Sequence, residues 1–213
     1  MHTPYSSFPL LKPQMSSTSK SLRQQLLQAR QALTTEQQNQ HAKQATHQLL
    51  RSPWLQRPKH IAVFFSQKGE LPTDKLIQAL WQRGHYVYLP VLTSLKARKN
   101  QPMAFAPYLP NSRMTDSKYG IPEPLCPHQY HRFGKQLQIV ITPLVGFDEM
   151  GHRLGMGGGF YDRTFAFKKH LPINSPKLIG WAHECQKLPQ LTPQPWDIPL
   201  DATVTEKQIY HHP

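Results

Sequence analysis

Apolar positions recur along the chain with two periods, and their alternation lays out the elements. Leu22, Leu26, Ala29 and Leu33 share one stripe of a helix expected over residues 19–33. By the same spacing Lys20, Arg23 and Arg30 read as its solvated polar face. A second helix is expected over 34–50: Thr34 and Gln37 have capping-box spacing, Ala42, Ala45 and Leu49 mark a buried stripe, and Ser52-Pro53 ends it. The pattern then switches to short β-branched and aromatic runs. Ile61-Ala62-Val63-Phe64-Phe65 reads as a strand. A loop over 66–73 follows, with Thr73 placed to cap a helix over 74–83 and Gly84 to close it. Tyr86-Val87-Tyr88-Leu89-Pro90, Met103-Ala104-Phe105-Ala106, Ile139-Val140-Ile141-Thr142 and the run 177–182 supply further strands, and an amphipathic helix is expected over 160–169. Strands alternating with helical patterns predict an α/β fold, with a largely parallel central sheet and helices on both faces.

One stretch departs from both periods. Five of the chain's 11 glycines lie within the nine residues 151–159, between an apolar strand and a helix. The run is neither a Walker A loop, lacking Gly-Lys-Ser/Thr, nor a G-x-G-x-x-G fingerprint, because Gly155, Gly157 and Gly159 alternate. Glycines after a strand are often a tight turn alone. Here Arg153 precedes them and Tyr161, Asp162 and Arg163 follow. A cation, a bare backbone and a carboxylate suited to magnesium favour a nucleotide-phosphate site over a structural turn.

Charge narrows the partners. Lys+Arg 25 against Asp+Glu 12 gives a formal +13, which attracts polyanions. The basic residues are scattered; only Lys96-Ala97-Arg98-Lys99 clusters, and no aromatics interleave it to stack bases. Cys126 and Cys185 form no CxxC, so they give no disulfide framework or zinc spacing and are expected as free thiols in a reducing cytoplasm. The 12 histidines are dispersed without HExxH. Residues 1–18 carry Pro4, Pro9 and Pro13, lack a secretory h-region, and are expected to be a flexible extension before one domain over 19–210. No run approaches the length of a membrane helix.

The segment Pro143 to Arg163, P-L-V-G-F-D-E-M-G-H-R-L-G-M-G-G-G-F-Y-D-R, resembles the signature of the 5-formyltetrahydrofolate cyclo-ligase family, also called methenyltetrahydrofolate synthetase. The resemblance runs over roughly residues 19 to 206. It implies ATP contacts at Lys20, Arg23, Arg153, Leu154, Gly155, Met156, Gly157, Gly158, Gly159, Phe160, Tyr161 and Arg163. It implies folate contacts at Phe65, at Glu70 of E-L-P-T, at Tyr119 and Glu123 around G-I-P-E-P, and again over Met156 to Phe160. Asp162 and Asp201 are the implied magnesium-associated carboxylates. Three positions depart from the family's usual residues: Gly158 for lysine, Phe160 for tyrosine and Trp196 for histidine. The implied reaction consumes ATP with Mg2+ and converts 5-formyltetrahydrofolate, possibly polyglutamylated, to the 5,10-methenyl compound. The resemblance also implies a three-layer, Rossmann-like α/β fold and a cytoplasmic monomer that binds neither nucleic acid nor membrane. A different enzyme on a similar scaffold and a basic nucleic-acid-binding module are the other readings.

Overall fold

A computed structural model describes residues 19–92, 102–117, 120–170 and 176–213. Two helices open it, α1 (Ser19–Gln31) and α2 (Thr35–Arg51). Next come β1 (His60–Ala62), α3 (Asp74–Gln82), β2 (Tyr86–Leu92) and β3 (Met103–Pro107). A small ribbon follows, β4 (Met114–Asp116) with β5 (Pro122–Pro124). The chain continues through β6 (Ile139–Thr142), a hairpin of β7 (Gly146–Phe147) and β8 (Arg153–Leu154), α4 (Phe160–Phe165), β9 (Lys177–Trp181), β10 (Ala202–Val204) and β11 (Ile209–His211).

Among the described residues the main sheet runs β11-β10-β9-β6-β1-β2-β3. Its five central strands are mutually parallel, and each edge, β11 and β3, is antiparallel to its neighbour. The sheet is thus largely parallel, as the alternating pattern predicts. The order explains where a ligand belongs. From β1 the chain builds outward to β2 and then returns to add β6, β9 and β10 on the other side, so a topological switch point lies between β1 and β6.

Side-chain alternation divides the core. Ile61, Val63, Ile139, Ile141, Ile179 and Trp181 point to one face, where Ala42, Ala45 and Leu49 of α2 and Leu76, Ile77 and Leu80 of α3 cover them. Ala62, Val140 and Leu178 point to the other, against Phe165 of α4, Phe105, Phe147 and Ile198. Burying a side chain of this size stabilises by about 1.5–3 kcal/mol, so the two layers account for the order of the stack. The capping box of α2 forms as read: Thr34 Oγ1 accepts from Gln37 N at 3.2 Å, and the Gln37 side chain accepts from Thr34 N at 2.8 Å.

Two local expectations change. Thr73 precedes α3 but does not cap it with its side chain; its hydroxyl donates to the Phe64 carbonyl at 2.8 Å, closing the β1–α3 loop instead. On α1, Leu26 is buried but Ala29 is exposed, and Arg30, read by spacing as solvated, is only 2% exposed. The stripe turns inward because Arg30 finds buried acceptors from distant parts of the chain.

Candidate active site

A cleft of about 720 Å³ opens at the carboxyl ends of the central strands. Phe64 and Phe65 beyond β1, Pro90 and Leu92 of β2, and Pro143 and Leu144 beyond β6 form its floor. The glycine loop 155–159 and the start of α4 form one wall, and the 191–197 segment borders it.

The glycine wall is built by a short hairpin. Asp148, fully buried, terminates β7 and organises the turn: its Oδ1 accepts from Met150 N at 3.0 Å and His152 N at 2.9 Å. Its Oδ2 lies 2.9 Å from His152 Nδ1 and accepts from Leu191 N at 2.8 Å. Burial alone raises this carboxyl's pKa, but the hydrogen bonds from Leu191 and His152 outweigh it and hold the carboxyl below its ordinary range. One aspartate therefore fixes both the hairpin that delivers Arg153 and the 191–197 border. The sequence shows Asp148 inside its longest motif, yet nothing in its spacing marks that role.

Arg153 enters the cleft almost buried, with its side chain 6% exposed. Its Nη2 lies 2.6 Å from Asp162 Oδ1, which also accepts from Ile198 N at 3.2 Å. The guanidinium lies over the Tyr161 ring at 5.5 Å. Burial pushes the Tyr161 hydroxyl pKa up, so this ring is neutral at ordinary pH. The Nε of Arg153 is buried and has no hydrogen-bond partner, which leaves a cationic donor for an anion. Arg23 of α1 donates from Nε to Gly155 O at 2.8 Å and ties the first helix to the loop.

The loop's backbone demands glycine at two positions. Gly157 has φ +95° and Gly159 φ +60°, a left-handed region costly for β-branched residues. A Cβ at Gly157 would meet nothing within 4 Å, so the space in front of that backbone is open. The donor set fits a phosphate: bare main chain, an orphaned buried Arg153 N–H and Arg23 nearby. It also fits magnesium, which commonly takes one or two carboxylates together with substrate phosphates and water. Asp162 lines the cleft and supplies such a carboxylate.

The opposite wall centres on Glu70. Its Oε2 accepts from Gln67 N at 2.9 Å, and its Oε1 lies 3.6 Å from Arg30 Nη1. Arg30 also donates from Nε to Lys68 O at 3.2 Å and from Nη1 to Leu144 O at 3.3 Å, clamping the loops after β1 and β6 together. Burial raises the Glu70 pKa, and the Gln67 hydrogen bond and Arg30 oppose that rise. Glu123 of β5 also lines the cleft; its Oε1 accepts from Leu92 N at 3.4 Å, and burial raises its pKa.

Most residues expected at the site meet here. Arg23, Phe65, Glu70, Glu123, Arg153, Leu154, Gly155, Met156, Gly157, Gly158, Gly159, Phe160, Tyr161 and Asp162 all line the cleft. Lys20 and Arg163 are exposed and do not line it; the Arg163 guanidinium lies over the Phe160 ring at 5.3 Å. Tyr119 lies outside the described residues. Asp201 is at the wrong end of the sheet for this cleft. It precedes β10, and its Oδ2 accepts from Leu178 N at 2.6 Å and Lys168 Nζ at 2.9 Å. Those contacts close the amino ends of the parallel strands. Arg30, Gln67, Lys68, Trp196 and Asp197 line the cleft without having been singled out for it. Trp196, 65% exposed, occupies the border where the resemblance leads one to expect histidine.

Known proteins resemble this chain along most of its length. The model of the 5-formyltetrahydrofolate cyclo-ligase family matches residues 15–206. A 5-formyltetrahydrofolate cyclo-ligase of Escherichia coli is 41% identical over 183 residues, covering 86% of this chain and 97% of its own length. One from Haemophilus influenzae is 38% identical over 182 residues, covering 84% of this chain and 92% of its own. Among solved structures, a 5,10-methenyltetrahydrofolate synthetase of Aquifex aeolicus superposes with a TM-score of 0.75 at 25% identity, covering 91% of this chain and 92% of that one. One from Mycoplasma pneumoniae gives 0.66 at 25% identity, covering 89% and 99%. The chain belongs to the 5-formyltetrahydrofolate cyclo-ligase family.

Proposed function

We propose that this protein is an ATP- and magnesium-dependent ligase that closes 5-formyltetrahydrofolate to 5,10-methenyltetrahydrofolate, releasing ADP and phosphate. The observation that carries the reading is the pairing of two different walls in one cleft. A bare glycine backbone with the Arg153 guanidinium forms one part of its lining, and Glu70, paired with Arg30, forms another with Phe65. The first suits a phosphate chain and the second an N–H-rich heterocycle.

The chemistry requires this juxtaposition. A formamide oxygen leaves poorly. Its attack on the γ-phosphorus forms an oxygen–phosphorus bond and releases ADP. The nitrogen–carbon–oxygen unit becomes an activated imidate phosphate. Nitrogen-10 attacks its carbon, loses a proton, and the carbon–oxygen bond breaks to release phosphate. No covalent nucleophile is needed. The chain's tasks are to align the formyl oxygen with the phosphorus and to offset phosphate charge.

Arg153, Arg23 and the main chain of Gly155 to Gly159 hold the phosphates in this reading. Lys20 and Arg163, both exposed, contribute charge from outside the cleft. Gly158 brings no side-chain cation to the loop, so the phosphate charge falls to the two arginines. Asp162 would hold magnesium, which would help neutralise the phosphate charge. Asp201 is left out of that set because it does not line the cleft and lies at the amino ends of the parallel strands. Glu70 accepts from the pterin edge, Phe65 and Phe160 border the ring, and Glu123 with Tyr119 flanks the folate. A formal +13 supports attraction of both anionic substrates, including polyglutamylated folate. The protein works as a cytoplasmic monomer in this reading; no helix among the described residues is long and apolar enough to cross a membrane. The test is turnover: protein, Mg-ATP and 5-formyltetrahydrofolate together should produce the methenyl chromophore. Omission of ATP or addition of a chelator should abolish it, and a chromophore formed equally well without ATP would refute the proposal.

A further inference from the structure

Three side chains far apart in sequence converge away from the cleft. His41 of α2, His183 just beyond β9 and Glu206 just beyond β10 bring their ligand atoms within 4.8 Å of one another, and none lines the cleft. We propose that they bind one divalent transition-metal ion of the zinc type.

The spacing is the first argument. Two ligand atoms about 2.0–2.1 Å from one ion, at angles near 90–110°, stand roughly 2.9–3.4 Å apart. His41 Nδ1 and His183 Nδ1 are 2.9 Å apart, and His41 Nδ1 lies 3.6 Å from Glu206 Oε1. Ion binding would draw the Glu206 carboxylate toward the two nitrogens. That carboxylate is already oriented: its Oε2 accepts from Glu184 N at 2.9 Å, which leaves Oε1 for the histidine side. The backbone is pinned across the same seam, where Gln48 of α2 donates to Thr205 O at 3.1 Å and Glu206 O at 2.8 Å.

The second argument is the way the two rings meet. His183 is fully buried, and its Nδ1 faces His41 Nδ1 while the Gly69 backbone lies beside its ring. Two neutral imidazoles that meet through the same kind of nitrogen share one proton between them. An ion would accept a lone pair from each Nδ1. The ring that carried the shared proton would carry it on Nε2 instead, so no net proton is gained or lost.

Ligand type selects the ion. Two imidazole nitrogens and one carboxylate suit zinc, cobalt or nickel, whereas magnesium prefers oxygen ligands and water. The His41 side chain is 21% exposed, which gives an approach for the ion and for a water in the remaining position.

Chelator-treated full-length protein, held in excess magnesium, would be titrated with Zn2+ by calorimetry and with Co2+ by visible absorption. The expected result is one tight ion per chain. His41→Gln and Glu206→Gln should each weaken that step at least about tenfold while leaving the thermal melt of the metal-free protein within a few degrees of the parent. The two variants change one partly exposed ligand each, so loss in either folded variant tests the site. A tightest step unchanged in both would assign the ion to others of the 12 histidines and overturn the proposal. Absence of saturable binding would overturn it as well.

Discussion

Arg30 and Glu70 face one another at 3.6 Å along the inner wall of the cleft, with side chains 2% and 15% exposed. The arginine also holds the carbonyls of Lys68 and Leu144, so one side chain joins the α1 helix to the loops after β1 and β6. Arg30→Met should therefore act on stability first, leaving Glu70 buried with its charge uncompensated. The expected loss is about 3–5 kcal/mol, read by urea unfolding. Arg30→Lys should not restore it, because an ammonium cannot reproduce the planar fork that reaches all three acceptors. Near-parental stability of Arg30→Met would mean that the clamp is idle.

Glu70→Gln keeps the shape and an acceptor for Gln67 N but removes the charge. If Glu70 receives pterin N–H groups, folate use should fall roughly ten- to a hundredfold, equivalent to about 1.5–3 kcal/mol for a charge-assisted hydrogen bond, while the KM for ATP stays near parental. Steady-state kinetics in both substrates separates the effects. Equal damage to both Michaelis constants in a folded variant would assign Glu70 a structural role.

The glycine loop makes a graded prediction. Gly157→Val and Gly159→Val place a β-branched residue at φ +95° and +60°, so both should abolish ATP binding measured by calorimetry. Gly158→Lys should bind ATP, because its Cβ would meet the Phe160 ring at 2.9 Å and that side chain can swing aside. Thermal melts provide the folding control. Normal ATP affinity in folded Gly157→Val would reduce the loop to a turn.

The two candidate carboxylates separate by position. Asp162→Asn should raise the magnesium concentration needed for half-maximal activity, because it removes a hard anionic ligand beside Arg153. Asp201→Asn should destabilise the fold, since Lys168 and Leu178 N lose charged contacts, yet leave the magnesium requirement unchanged. A magnesium shift in Asp201→Asn and none in Asp162→Asn would reverse the assignment.

Such contrasts mark what the sequence could convey. The α2 capping box was legible because its donors and acceptors are three residues apart. The site's glycine wall was legible because positive φ demands a particular residue and the motif is contiguous. Arg30 was not legible: its burial depends on Leu144, 114 positions away, and helical spacing alone groups it with solvated cations. Asp201 was misread for a similar reason. An aspartate before a strand lies at the amino end of a parallel sheet, and only the strand order puts that end opposite the cleft. Asp148 drew no attention because a turn aspartate is common, whereas its side chain's four hydrogen bonds reach three residues as far away as Leu191.

His183 predicts how stability depends on pH. Its folded pKa of about 4 lies below the ordinary 6.5, because burial disfavours the charged ring. The unfolded chain therefore binds more protons between those values, and stability falls as pH drops from about 6.5 toward 4. The contribution is on the order of 3 kcal/mol, from about 1.36 kcal/mol per pKa unit. Unfolding of the metal-free protein across that window should lose most of this slope in His183→Asn relative to the parent; an unchanged slope would remove His183 as its source.

The central claim is that the formyl oxygen becomes a phosphate oxygen. It is tested most directly by following that atom. 5-Formyltetrahydrofolate carrying oxygen-18 in the formyl group would be turned over with Mg-ATP, and the released inorganic phosphate analysed by mass spectrometry. The account predicts one labelled oxygen in each phosphate, with ADP and the methenyl product formed in equal amounts. Unlabelled phosphate with the label recovered in water would contradict it.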